Sequence, residues 1–420
     1  MDIPIVVATY NRPASLDRIL NSLNSSKFSF PVKLYISIDG GGVPEVLNLV
    51  NEFHWKHGVK EVIHHDRNLG LRDHILSCGD ISQQHDAIVL FEDDIFVSPI
   101  FYSYTIQAYE FYKNEENLAG ISLYSHSFNE NTHLRFYPIN DGYDVFFIQL
   151  ASSWGQCWSK SQWQLFRSWY ENNKDCTFSE CDGIPIDVVN WPEKSWKKYF
   201  IKYMIDNNLF FVYPNVSLST NFGDCGENHL GVDNFQVPLN YGKSKYIFPY
   251  FSASLSKYDC YCEILPECLN TFCNKFGGYS YEVDLYGIKP IEFLKAEYIL
   301  TSRLTSNSIF SFAKKMQPHE ANIIAGIKGK DLHFSKIADV EKNPVYYTIE
   351  QMVYYHILPD WCKNKLKFSE SNFTQINSQE KILLKIYSTQ LGKIILLPIW
   401  WLYRIFTFFE RPKELKNGNK

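Results

Sequence analysis

Between residues 3 and 94 the chain alternates β-branched apolar runs with amphipathic segments, and this alternation constrains the fold more than any other feature. "IPIVVATY" (3–10), "VKLYISID" (32–39), "VKEVIHH" (59–65) and "AIVLFEDD" (87–94) read as strands. The first is apolar without polar alternation, as a strand covered on both faces must be. Between the runs, "NRPASLDRILNSL" places Leu16, Ile19, Leu20 and Leu23 at i, i+3, i+4 and i+7, with Pro13 near the first turn. That pattern predicts an amphipathic helix, and "VPEVLNLVNEF" and "LRDHILSCGDI" predict two more. The fold class is therefore α/β: a mostly parallel sheet with helices on both faces. Ligands of such sheets collect at the carboxyl ends of the strands.

Polar residues stand at all four of those ends. Thr9, Tyr10, Asn11 and Arg12 follow the first strand, and Asp39 with Gly40, Gly41 and Gly42 follows the second. Asp66, Arg67, Asn68 and Gly70 follow the third, and Glu92, Asp93 and Asp94 close the fourth. Neither G-x-G-x-x-G nor G-x-x-x-x-G-K-[ST] follows any of these strands, which argues against a dinucleotide-binding site or a P-loop. Adjacent carboxylates repel and need a counter-charge or open water. A hard divalent cation, Mn²⁺ or Mg²⁺, takes carboxylate oxygens and would supply that charge. It would also hold the diphosphate of a nucleotide-sugar and stabilise the diphosphate as it departs. The competing reading is an acid-rich helix start. "SPIFYSYTIQAYEFY", with Ser98 as cap and Pro99 at its first position, puts that start four residues beyond the triplet.

At 420 residues the chain exceeds what one core usually fills. Its 45% hydrophobic and 16% aromatic content marks it as globular. A net charge of -5 gives no general attraction for nucleic acid, so no nucleic-acid partner is expected. The first strand begins at Ile3 and leaves no room for an export signal. A cytoplasmic location is therefore expected, with the ten cysteines mostly reduced. Cys260, Cys262, Cys268 and Cys273 lack the paired C-x-x-C spacing that zinc sites favour. The tail "IILLPIWWLYRIFTFF" (394–409), followed by Arg411, Lys413, Lys416 and Lys420, is too short to span a bilayer and is interrupted by Pro398. Trp400, Trp401 and the flanking cations suit a peripheral contact at the inner face of a plasma membrane. A terminal helix packed on the protein's own core is the alternative.

The ordered motifs "TYNRPASL", "SIDGGG", "IVLFEDDIFVSPIFYSY", "SSWGQCW" and "NFGDCGENH" resemble those of GT-A fold glycosyltransferases, with N-acetylglucosaminyltransferase I and bacterial family 2-like enzymes as the nearest likeness. The resemblance covers about residues 1–235. It implies a nucleotide-diphospho-sugar transferase fold with a Rossmann-like mixed sheet over 1–240; beyond it a C-terminal, mostly helical appendage is expected, with an accessory region of unknown role over 241–390 and the apolar, basic tail over 391–420. It further implies Asp94 as the metal ligand, with His229 near the metal or diphosphate. Glu92 and Asp93 would be oriented toward ribose and sugar, and Arg12 and Asp39 would read the uracil edge. Asn68, Gly70 and Arg72 would line the nucleotide pocket, and Trp154 and Gly155 would form the acceptor loop. The reaction implied is transfer of a hexosyl or N-acetylhexosaminyl group from a UDP-linked donor to a hydroxyl of a glycan or lipid-linked acceptor, with inversion. Capsule or lipopolysaccharide assembly is the context by analogy.

One departure concerns the general base that takes the acceptor's proton. The family has an Asp after a Trp at this point, whereas "KSWKKYF" has Lys197 and Lys198 after Trp196. Asp187 in "GIPIDVVNW" is the expected substitute, with Glu193 and Asp182 behind it. The missing base also keeps a non-catalytic, carbohydrate-binding descendant in view. A sugar-phosphate nucleotidyltransferase is the other alternative, although "ATYNRPASL" lacks the Gly-rich basic loop it should carry.

Overall fold

The structure is a computed structural model that describes residues 1–224, 235–342 and 354–355. The chain divides into two compact units, Met1–Tyr346 and Tyr347–Lys420. The tail at 394–409 and His229 lie outside the described residues.

The alternation is realised as β1 (Ile5–Thr9), α1 (Pro13–Asn24), β2 (Leu34–Ile38), α2 (Pro44–Glu52), β3 (Lys60–His64), α3 (Leu71–Asp80) and β4 (Ala87–Glu92). After β4 come β5 (Ile95–Val97), α4 (Phe101–Tyr112), β6 (Leu118–Ser122), β7 (Val145–Ile148) and β8 (Gln156–Ser159). Then follow α5 (Lys160–Asn173), α6 (Ile186–Val189), α7 (Trp196–Asp206), β9 (Phe210–Pro214), β10 (Ser219–Asn221) and β11 (Lys257–Tyr258). β1 pairs in parallel with β2 and β4, and β2 in parallel with β3. β8 enters antiparallel between β4 and β6, so the nine-stranded sheet, in the order β11-β7-β9-β6-β8-β4-β1-β2-β3, is mixed.

Every residue of β1 and β2 is buried, as their unbroken apolar pattern requires. On α1, Leu16, Ile19, Leu20 and Leu23 are fully buried against the same core. Burying four such side chains is worth roughly 6–12 kcal/mol before the entropy of ordering is subtracted. The start of α1, and with it the loop after β1, is held on a rigid base. α4 begins two residues later than the Ser-Pro signal suggests: Ile100 is its cap position, and Ser98 Oγ accepts from the Ile100 N–H at 3.3 Å.

Among the described residues beyond 240, short strands stand where a mostly helical character was expected. They include a four-stranded sheet, β12 (Tyr281–Asp284), β13 (Tyr298–Thr301), β14 (Phe310–Phe312) and β15 (Leu332–Lys336), in the order β12-β13-β15-β14. The helices there are short: α8 (Pro266–Phe272) and α9 (His319–Ile324). "EYILTSRLTSNSIFSFAKKM" reads as a mixed helical pattern, yet it contains β13 and β14. Strands of three or four residues are too short to show a period of two, and their aromatic and β-branched content wins.

Candidate functional site

Chain order places β2 and β3 on one side of β1 and β4 on the other. The loops after β1 and β4 therefore flank a topological switch point, where α/β sheets bind ligands. A pocket opens there, lined by Thr9, Tyr10, Asn11, Arg12, Asp39, Asn68, Gly70, His74 and the triplet Glu92, Asp93 and Asp94.

The triplet finds its counter-charge in Arg12, which sits at the cap position of α1. Arg12 Nη1 donates to Asp94 Oδ2 at 3.1 Å, and Nη2 makes a close ion pair with Asp93 Oδ1. Asp93 is 2% exposed and also accepts from Thr9 Oγ1 at 2.8 Å. Burial raises the Asp93 carboxyl pKa, and Asp94 adds to the rise while Arg12 opposes it. Glu92 is pushed up to about 8, by burial first and then by the charge of Asp94. One guanidinium is too little positive charge for three neighbouring carboxylates. Arg12 itself, where burial alone would lower the pKa, is held above its ordinary value by Asp93, Asp94 and Glu92.

Asp39 turns inward and clamps loops. Its Oδ1 accepts from the Gly40 and Leu69 N–H groups at 2.9 and 2.7 Å, and its Oδ2 from the Gly70 N–H at 3.0 Å. The loop after β3 is thereby tied to the end of β2. The glycine run after Asp39 follows from the same crowding: a Cβ on Gly40 would lie 2.3 Å from the Arg67 carbonyl carbon, and one on Gly42 would lie 2.2 Å from the Tyr10 carbonyl oxygen. His74, from the first turn of α3, lies beside Asp39. Its Nε2 meets Ser37 Oγ at 2.8 Å, and burial lowers it to about 4, so it is neutral. The sequence pattern gave no sign of it, because a histidine on an amphipathic helix is indistinguishable from a packed one until the strand beneath is placed.

Of the remaining predicted residues, Asn68 and Gly70 line the pocket and Arg72 does not. Arg72 bonds to the Glu193 carbonyl and Tyr199 Oη at 3.0 and 3.2 Å, joining α3 to α7. Among the base candidates, Asp187 is exposed on α6, away from the pocket lining. Glu193 is engaged by Lys198 at 2.9 Å and Tyr199 at 2.8 Å, and Asp182 caps Ser179. None of the three joins the triplet. Trp154 is half-buried in an aromatic group with Tyr124, His126 and Phe235, at ring distances of 4.6, 5.9 and 4.8 Å. Trp158 and Trp163 are fully buried core residues.

Sequence reasoning missed a second polar group beside Trp154. Lys197 Nζ bonds to both oxygens of Glu130, and lies 5.5 Å from the Trp154 ring and 5.3 Å from that of Trp191. Lys197 is near enough to lower the Glu92 carboxyl, against the larger effects that raise it. The lysine in the Trp-Lys step thus carries Glu130 into this neighbourhood.

Among the described residues, no group of three or more His, Cys, Asp or Glu side chains converges as a metal-binding set. A cage made by the protein alone is therefore absent from the described residues, including at the four cysteines. The triplet fits a cation of a different kind. Mg²⁺ and similar hard ions are commonly held by one or two carboxylates, with phosphate oxygens and water completing the shell. The excess of negative charge around Asp94 and its oxygen-only donors match that arrangement.

No family model matches the sequence, and no curated protein matches it. Solved structures do. The chain is similar to S. aureus TarS 1–349, with 13% identity, a TM-score of 0.34, and coverage of 52% of this chain and 60% of that one. Its complex with UDP matches at 14% identity and a TM-score of 0.33, over the same shares of each chain. The mannosyltransferase PcManGT of Pyrobaculum calidifontis, in complex with GDP-Man and Mn²⁺, matches at 7% identity and a TM-score of 0.28, over 40% of this chain and 46% of that one. The chain thus spans about three fifths of the length of these TarS 1–349 structures, and each likeness is to part of the molecule.

Proposed function

We propose that the protein is a metal-dependent glycosyltransferase that moves a sugar from a UDP-linked donor to a hydroxyl of a glycan or lipid-linked acceptor. The observation that carries this reading is the meeting of Arg12, Asp39, Asn68, Gly70 and the Glu92-Asp93-Asp94 triplet in one pocket at the switch point of the sheet. A nucleotide-sugar presents a flat base with donors and acceptors, a diphosphate, and a sugar; these polar sets offer a partner to each.

Asp94 would hold Mn²⁺ or Mg²⁺, which when bound supplies charge stabilisation to the departing diphosphate. Asp93, fixed by Thr9 and Arg12, and Glu92 would face ribose and sugar. The Asp39 carboxylate accepts three backbone bonds. A carboxylate has about four acceptor positions, so one remains for the uracil ring N–H. Asn68 and Gly70, pinned by Asp39, would form the wall of the base site. Trp154 would offer an apolar face to the acceptor's rings. Surface polysaccharide synthesis is the context we propose for such an acceptor.

The test is release of UDP from UDP-sugars, with MnCl₂ or EDTA, by wild type and Asp94→Ala. The reading predicts Mn²⁺-dependent release that falls at least about a hundredfold in the variant. Equal release by the two proteins would contradict it.

A further inference from the structure

We propose that Arg12 is a resident counter-ion that holds Asp93 and Asp94 together in the ligand-free protein, and gives up Asp94, the proposed metal ligand, when the cation arrives with the donor. The inference rests on the metal reading above and deepens it, because it assigns an order to the binding of metal and nucleotide.

The geometry points this way. One guanidinium nitrogen goes to each aspartate, so Arg12 bridges the pair. The two ends of the bridge are unequal. The Asp93 side chain is 3% exposed and has Thr9 as a second donor, whereas the Asp94 side chain is 16% exposed and opens on the pocket. The Asp94 end is the exchangeable one. A monovalent, delocalised guanidinium in a fork satisfies two carboxylates without dehydrating a small ion. A divalent ion alone must displace that fork and gains only Asp94 and its neighbours in return. A divalent ion carrying a diphosphate gains phosphate oxygens as well, and the released guanidinium gains a phosphate partner. Arg12 therefore opposes the metal alone and favours the metal–nucleotide pair. By linkage, UDP raises the affinity for Mn²⁺ by the same factor that Mn²⁺ raises the affinity for UDP.

The test is Mn²⁺ binding to the full chain, followed by electron paramagnetic resonance of the free ion, with and without UDP. Wild type is expected to bind Mn²⁺ alone weakly and to bind it much more tightly with UDP. Arg12→Met is expected to bind Mn²⁺ alone about tenfold more tightly than wild type, with a smaller gain from UDP. Arg12→Lys keeps the charge, cannot fork between two carboxylates, and is expected to lie between them. It serves as the deciding variant if Arg12→Met does not fold. If either folded variant binds Mn²⁺ alone no better than wild type, the counter-ion role is overturned and the metal reading stands. If wild type binds no Mn²⁺ even with UDP, the metal reading itself fails.

Discussion

Lys197 Nζ lies 2.9 and 2.7 Å from the two carboxylate oxygens of Glu130, and both side chains are about nine-tenths buried. Burial alone would raise the Glu130 pKa; Lys197 first, then His126 and His133, together outweigh it and leave the carboxyl below its ordinary value. The pair is a neutral unit packed between Trp154 and Trp191. Replacing Lys197 by Met leaves the Glu130 charge buried and alone, which costs about 3–5 kcal/mol. Urea denaturation of Lys197→Met should show that loss. The double variant Lys197→Met with Glu130→Met should recover most of it, because the uncompensated charge is then gone.

Gly155 has a φ of +97°, and a Cβ there would lie 2.9 Å from Phe91 Cε1 and 3.0 Å from Ser219 Oγ. Phe91 lies in β4, immediately before the triplet. Gly155→Ala combines backbone strain with overpacking and should cost about 2–4 kcal/mol. Its thermal midpoint should fall by several degrees. A change within 1 °C would show that the loop can shift at no cost.

His126 is 3% exposed, and neither ring nitrogen has a hydrogen-bond partner among the described residues. Burial lowers it to about 4, so its approach to Glu130 at 3.4 Å is not an ion pair at neutral pH. The unfolded chain takes up this proton near pH 6.5 and the native chain only near 4. Stability is therefore lost as pH falls from about 6.5 to 4, by about 3 kcal/mol from this group, and levels off below. His126→Phe suits the surrounding rings and should flatten that part of the stability-against-pH curve. Parallel curves for the two proteins would contradict the assignment of a neutral buried imidazole.

The parallel half of the sheet was legible because β1, β2 and β4 are buried along their length and its helices are amphipathic, so periodicity and burial agree. The positions of Asp39, Asn68, Gly70 and the triplet were legible for the same reason, since residues at the ends of parallel strands converge wherever the strands are found. What those side chains bond to was not. The forked contact of Arg12 with Asp93 and Asp94 spans more than 80 positions in sequence. The clamp of Asp39 on Leu69 and Gly70 spans about 30. Local pattern carries no information on either. Glu130 was missed because it sits in a polar turn, where an acid is ordinary until Lys197 reaches it. In the second sheet, β12, β13 and β14 were missed because strands of three or four residues are too short for their period to register.

We propose that the pocket at the ends of β1, β2 and β4 takes a nucleotide diphosphate through a divalent cation held at Asp94. Calorimetric titration of UDP into the wild-type protein, once in MnCl₂ and once in EDTA, tests it most directly. We expect binding in Mn²⁺ that weakens at least about tenfold in EDTA, a difference of about 1.4 kcal/mol or more. Equal UDP affinity in both buffers, or no UDP binding in either, would contradict it.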